Sequence, residues 1–186
     1  ELVLSKAGKA LTVDFRKADL NKELEWVLGW QPDLVTAAAL FDLASRRWIE
    51  RFVAALASQR LPLYTVLTYD GRETWKPPHP ADARMLAAFK HHQLTDKGFG
   101  PAAGPAATEI MAEAFRKTGF AVSTGDSPWL IEDGAGAFAN ALTAGIADAV
   151  RETGHLDAGT IADWLEARRQ SSSGLVGHHD LWARPV

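Results

Sequence analysis

The sequence predicts an α/β fold organised around a parallel βαβ unit, and three stretches predict it. Residues 33–41, Asp33-Leu-Val-Thr-Ala-Ala-Ala-Leu-Phe41, are almost continuously apolar and follow Pro32, as expected of a strand covered on both faces. From Ser45 the spacing turns helical, with Trp48, Phe52, Val53 and Leu56 on one side and most of the arginines elsewhere. Residues 61–68, Leu-Pro-Leu-Tyr-Thr-Val-Leu-Thr, then give a second buried strand. The crossover between two such strands is right-handed, and ligands in these sheets bind beyond the carboxyl ends of the strands. This places Phe41, Asp42, Tyr69 and Asp70 at the rim of the expected site.

The remaining elements follow from the same patterns. Residues 2–4 and 11–15 read as two strands joined by the glycine-containing run Ser5-Lys-Ala-Gly-Lys9, a hairpin. Residues 22–28 read as a short helix, with Leu24, Val27 and Leu28 at helical spacing and Gly29 and Pro32 as the stop. After the cluster Pro77-Pro-His-Pro80, a helix carries Met85, Leu86 and Phe89 inward. A polar, glycine-rich loop (91–105), a helix (106–118) ending at Gly119 and a strand (120–123) that resumes at 129–131 come next. Phe138, Leu142, Ile146 and Val150 mark a long helix closed by Gly154, and Ile161, Trp164 and Leu165 mark another. Ser171-Ser-Ser-Gly174 reads as a flexible joint before a last strand, 175–183, in which Val176, His178, Asp180 and Trp182 share one side.

Composition narrows the function. The 186 residues are read as a single domain, 1–186, with 47% apolar and 23% charged residues, enough for a real core. Twenty basic against twenty-three acidic residues give a net charge of −3, which argues against nucleic acid as a partner. The longest apolar stretch is far short of a membrane span. With no cysteine and no export signal, the expected location is the cytoplasm. The opening Glu1-Leu-Val-Leu4 reads as the middle of an element, so a truncated chain, the C-terminal portion of a longer domain, is expected.

Several motif-like patterns read as structural features. Gly134-Ala-Gly136-Ala-Phe-Ala139 fits a dinucleotide-binding spacing, but Glu132 and Asp133 before it would repel a pyrophosphate and no βαβ unit surrounds it, so it reads as a helix-opening turn. None of the six histidines forms an i, i+4 helical pair, and no metal site is expected. There is no Walker motif and no nucleophile elbow. The densest polar cluster is His91-His-Gln-Leu-Thr-Asp-Lys-Gly-Phe-Gly100, which combines acid and base types with glycines.

The order of these elements, with Leu11-Thr-Val-Asp-Phe-Arg-Lys-Ala-Asp-Leu20, Asp33 through Leu43, Leu67-Thr-Tyr-Asp-Gly-Arg72, residues 92–101 and Gly177-His-His-Asp-Leu-Trp-Ala-Arg-Pro185, resembles the second half of a class I S-adenosylmethionine-dependent methyltransferase. The resemblance implies a partial Rossmann-like sheet, mostly parallel with an antiparallel C-terminal strand pair and helices on both faces. It implies S-adenosylmethionine as cofactor and a small-molecule acceptor. Asp19 and Leu20 would flank the adenine, and Ala39 and Leu40 would lie beneath the cofactor. Tyr69, His92 and Asp96 become catalytic candidates, with His92 or Asp96 as a base where the acceptor must lose a proton. Asp70, Lys97 and Phe99 face the acceptor, Phe99 as a cover.

The glycine-rich loop and the acidic ribose ligand of that family have no counterpart in the sequence. Weak or no cofactor binding by this chain is therefore expected. The alternative is a cofactor-free remnant acting as a binding or assembly module. Removing the family's first two strands would also leave strand 33–41 with an open edge. Either the hairpin of residues 2–15 moves in beside it, or a second copy covers it in a homodimer or swap.

Overall fold

The computed structural model describes residues 1–132, 135–169 and 173–186. It divides into two compact units, Glu1–Gln31 and Pro32–Val186. In the first, β1 (Leu2–Lys6) and β2 (Lys9–Val13) pair antiparallel as a two-stranded sheet of their own. Ala7 and Gly8 both take positive φ, 50° and 75°, as the tight turn of a twisted hairpin requires. The expected helix is present but short, α1 (Leu24–Leu28).

In the second unit, β3 (Val35–Ala38), α2 (Arg46–Ser58) and β4 (Leu63–Lys76) form the βαβ unit, with β3 and β4 parallel. Ser45 caps α2 by accepting the Trp48 N–H at 3.2 Å. Then come α3 (Asp82–Gln93), α4 (Ala107–Lys117), β5 (Phe120–Asp126), β6 (Trp129–Ile131), α5 (Gly136–Thr153), α6 (Ala158–Arg169) and β7 (Ser173–Pro185). The sheet order is β3-β4-β7-β5, with β6 also on β7. Strand β7 runs antiparallel to β4, β5 and β6. The result is an α/β fold on a mixed sheet. No helix among the described residues is long and apolar enough to cross a membrane.

Successive residues of β7 face opposite sides of the sheet. On one side Val176, with Tyr69 and Trp75 of β4, packs into a core formed by α3, α5 and α6, including Met85, Ile146, Val150, Ile161 and Trp164. On the other, His179 and Thr124 border α4. Asp82 ties α3 to α6: it accepts the Trp164 indole N–H at 2.7 Å and lies 3.6 Å from the fully buried Arg168 guanidinium.

Three expectations are corrected. Residues 33–41 do not form a long strand covered on both faces. Strand β3 has four residues, pairs only with β4 among the described residues, and alternates half-buried with exposed side chains, while Leu34 is 44% exposed. The ladder stops because Ala39 turns left-handed (φ 49°) and Phe41–Leu43 winds into a 3-10 turn. An apolar run reports low polarity; it does not report how many layers cover it. Among the described residues, β1 and β2 of the expected hairpin bond only to each other. Finally, Phe138 is exposed, and Gly174 belongs to β7 opposite Trp75, where a Cβ would come within 2.6 Å of the indole ring. Ser171 and Ser172 of the expected joint, and Asp133 and Gly134 of the glycine motif, lie outside the described residues.

Strand β4 is longer than the sequence pattern suggests and carries two bulges against β7, between Thr65 and Thr68 and between Tyr69 and Glu73. At the first, Leu67 takes a φ of 58° and its N–H donates to Asp180 Oδ1 at 3.1 Å, an oxygen that also accepts the Ser127 hydroxyl at 2.6 Å. At the second, Gly71 takes a φ of 85° against Pro105, with no room for a Cβ. Asp180→Ala is expected to destabilise the fold by about 1–3 kcal/mol, because it leaves the bulge N–H unpaired. Urea unfolding together with faster hydrogen exchange at the Leu67 amide checks this, and an unchanged midpoint would contradict it.

Candidate functional site

The end of β3 and the first bulge of β4 lie side by side, the Ala39 N–H donating to the Val66 carbonyl at 3.1 Å. Two non-glycine residues with positive φ, Ala39 and Leu67, therefore flank one point of the sheet, a concentration of backbone strain typical of functional positions. Just beyond it, the 3-10 turn Phe41–Leu43 carries Asp42 inward, 7% exposed, with Oδ1 lacking any hydrogen-bond partner among the described residues. Burial pushes its pKa up to about 6, against the opposing pull of the backbone N–H groups of Asp42 and Tyr69.

Tyr69 is buried beside it, and its hydroxyl also has no partner among the described residues. Burial first, then the charges of Glu73, Asp70 and Asp42, hold its pKa well above the ordinary phenol range. At neutral pH it is a hydrogen-bond donor and not a base. Its ring meets Phe89 of α3 edge-on at 5.7 Å and His178 of β7 at 6.3 Å. His178 is buried with Nδ1 unpartnered, and burial lowers its pKa although Asp70 and Asp180 pull the other way. Trp129 lies 4.7 Å from His178 and 5.2 Å from Phe138. The Thr68 hydroxyl is a further buried group without a partner. Interiors ordinarily pair such atoms, so Asp42, Tyr69 and His178 together form a polar patch suited to donating to and accepting from a bound molecule, while Thr68, opposite His179, faces the other side of the sheet.

On the opposite face, Asp70 is folded over Gly177, where any Cβ would collide with its carboxylate. Arg72 Nε donates to Asp70 Oδ2 at 2.7 Å, and the same guanidinium bridges to Asp126. Burial opposes ionisation of Asp70, but the hydrogen bonds and charge of Arg72 outweigh it and hold the carboxyl below its usual range. Asp70, Asp126 and His179 offer ligand atoms within 4.8 Å of one another. The Arg72 guanidinium already supplies the positive charge between the two carboxylates, so the group is best described as an ion-pair cluster.

The other sequence candidates are held elsewhere. His92, at the end of α3, sits between Glu152 Oε2 at 2.9 Å and Lys97 Nζ at 3.1 Å. Asp96 organises its own loop by accepting the N–H groups of Gly98 and Gly100. Phe99 packs edge-on against Trp48, ring centroids 4.9 Å apart. Asp19, in the first unit, is exposed and engaged locally: it accepts the Asn21 N–H at 3.0 Å and pairs with Lys22 at 3.1 Å, which lowers its pKa. Leu20 follows it in the same turn. Ala39 is exposed and Leu40 half-buried at the end of β3. The structure thus joins Tyr69 to Asp42 and His178, and places His92 with Lys97. The position of Asp42 beyond the end of a strand placed it at the rim of the expected site, but nothing in the sequence signalled that it would be buried, and His178, the neighbour of Tyr69, was read only as one side of the last strand.

A scan against protein-family models gives no match, and a search of curated proteins gives none either.

The raised pKa of Asp42 fixes the sign of a pH effect. From its ordinary value of 3.8 to about 6, the folded protein retains a proton that the unfolded chain releases. The stabilisation from the protonated form is complete below the unfolded value and is lost as pH rises through about 6. Asp42→Asn should therefore leave stability near pH 4 little changed and raise it at pH 8 by roughly 3 kcal/mol. Urea unfolding at the two pH values checks this; parallel pH responses of parent and variant would contradict it.

Proposed function

We propose that this chain forms the acceptor side of an S-adenosylmethionine-dependent methyl-transfer site. The observation that carries the reading is the pairing of buried Asp42 with buried Tyr69, both with unpartnered oxygens, where β3 ends at left-handed Ala39. The sheet supports it: a parallel βαβ unit followed by a last strand antiparallel to its neighbours accords with the resemblance in the sequence.

The fit to the cofactor is one-sided. Ala39 and Leu40 offer a small apolar floor, Asp42 lies just past them, and the Asp19 carboxylate is already engaged by Lys22. The cofactor supplies an electrophilic methyl group on a sulfonium. This chain's residues do the rest: they orient the acceptor, exclude water and hold its proton. Tyr69, neutral, donates a hydrogen bond to the acceptor. Asp42, with a pKa of about 6, is suited to accept a proton near neutral pH. The open edge of β3 favours a second reading, an assembly module in which another chain completes the sheet.

Titration of the chain with S-adenosylhomocysteine, followed by amide NMR, separates the two. The methyl-transfer reading expects weak, millimolar binding with shifts concentrated at Ala39, Leu40, Phe41 and Tyr69. Shifts confined to other regions, or none at all, would overturn it, and concentration-dependent dimerisation through β3 would favour the second.

A further inference from the structure

We propose that the cleft between α4 and the β5–β7 face binds a small elongated zwitterion, with its carboxylate at Arg116 and its amine at Glu109. The cleft encloses about 280 Å³ and is lined by Pro105, Thr108, Glu109, Arg116, Thr124 and His179 among others. That volume suits a molecule of several heavy atoms and falls short of a drug-sized ligand.

Glu109 and Arg116 stand seven residues apart, two turns along one side of α4, which separates their backbones by about 10 Å. Neither side chain has a hydrogen-bond or ion-pair partner among the described residues. The same helix pairs Glu113 with Lys117, at 3.9 Å, whereas Glu109 and Arg116 line the cleft. The cleft therefore has a negative end and a positive end, with the two threonines and His179 also lining it. Its walls are fixed. Pro105, in the 3-10 turn Gly104–Ala106, is packed against Gly71, where a Cβ would meet it at 2.9 Å, and His179 is held beside Asp70 and Asp126.

Such a cleft selects by charge arrangement. A simple anion that satisfies Arg116 also meets Glu109, and a simple amine that satisfies Glu109 also meets Arg116; a molecule carrying both charges at a matching separation meets neither penalty. His178 and His179 point to opposite faces, so this cleft lies across the sheet from Tyr69, and the proposal does not depend on methyl transfer.

Calorimetric titration with 6-aminohexanoate, hexanoate and hexylamine at low ionic strength tests it. The zwitterion should bind at least about tenfold more tightly than either singly charged analogue. Glu109→Gln and Arg116→Gln, both at exposed positions, should each weaken it by about tenfold, while Glu113→Gln should not. Equal binding of the three compounds, absence of binding at millimolar concentration, or indifference to both substitutions would overturn the proposal.

Discussion

Between Thr65 and Thr68, β4 advances three residues while β7 advances two, and between Tyr69 and Glu73 it advances four while β7 again advances two. The first slip is odd and the second even, and in a sheet an odd slip exchanges the faces. Thr65, opposite Leu181, and Thr68, opposite His179, therefore share a face although they are three residues apart. Tyr69 is sent to the other face, among α3, α5 and α6, while Asp70 is laid over Gly177 beside Asp126 and His179. The second slip keeps that parity, and Trp75 rejoins the core that Tyr69 entered. One inserted residue, at left-handed Leu67, thus decides which polar groups are buried with aromatic rings and which join an ion-pair cluster with Arg72.

The two faces then follow different electrostatics. Around Tyr69, desolvation dominates: Asp42 and the phenol are pushed toward their neutral forms, and so is His178. Around Asp70, a single guanidinium outweighs burial and keeps the carboxyl ionised. Two carboxylates close to one strand end are driven in opposite directions by what packs on each side of the sheet, a separation of acid and base character of the kind catalytic sites use.

Much of the fold was legible in the sequence. Helical spacing from Ser45, the turn at Ala7-Gly8, and the strand–helix–strand succession all reappear, because each depends on residues close in sequence. What was hidden depends on layers and register. The apolar residues 33–41 read as doubly covered, yet β3 is an edge strand; Asp70-Gly71 read as the end of a strand, yet β4 continues through Gly71 to Lys76. Leu67 gives no local sign that it will take a conformation that leucine rarely adopts. Tyr69 was legible as a strand-end residue, but its partnership with Asp42 required knowing that the turn after β3 points inward, and Arg72 showed its role only once Asp126 was brought within reach from β5.

The central claim is that the sheet's end buries Asp42 beside Tyr69 as a group that exchanges its proton near neutrality. Carbon NMR of the Asp42 side-chain carboxyl, followed through a pH titration of the folded protein, tests this most directly. The account predicts a midpoint at about 6. A midpoint in the ordinary aspartate range would mean that the carboxyl is solvated, and would contradict it.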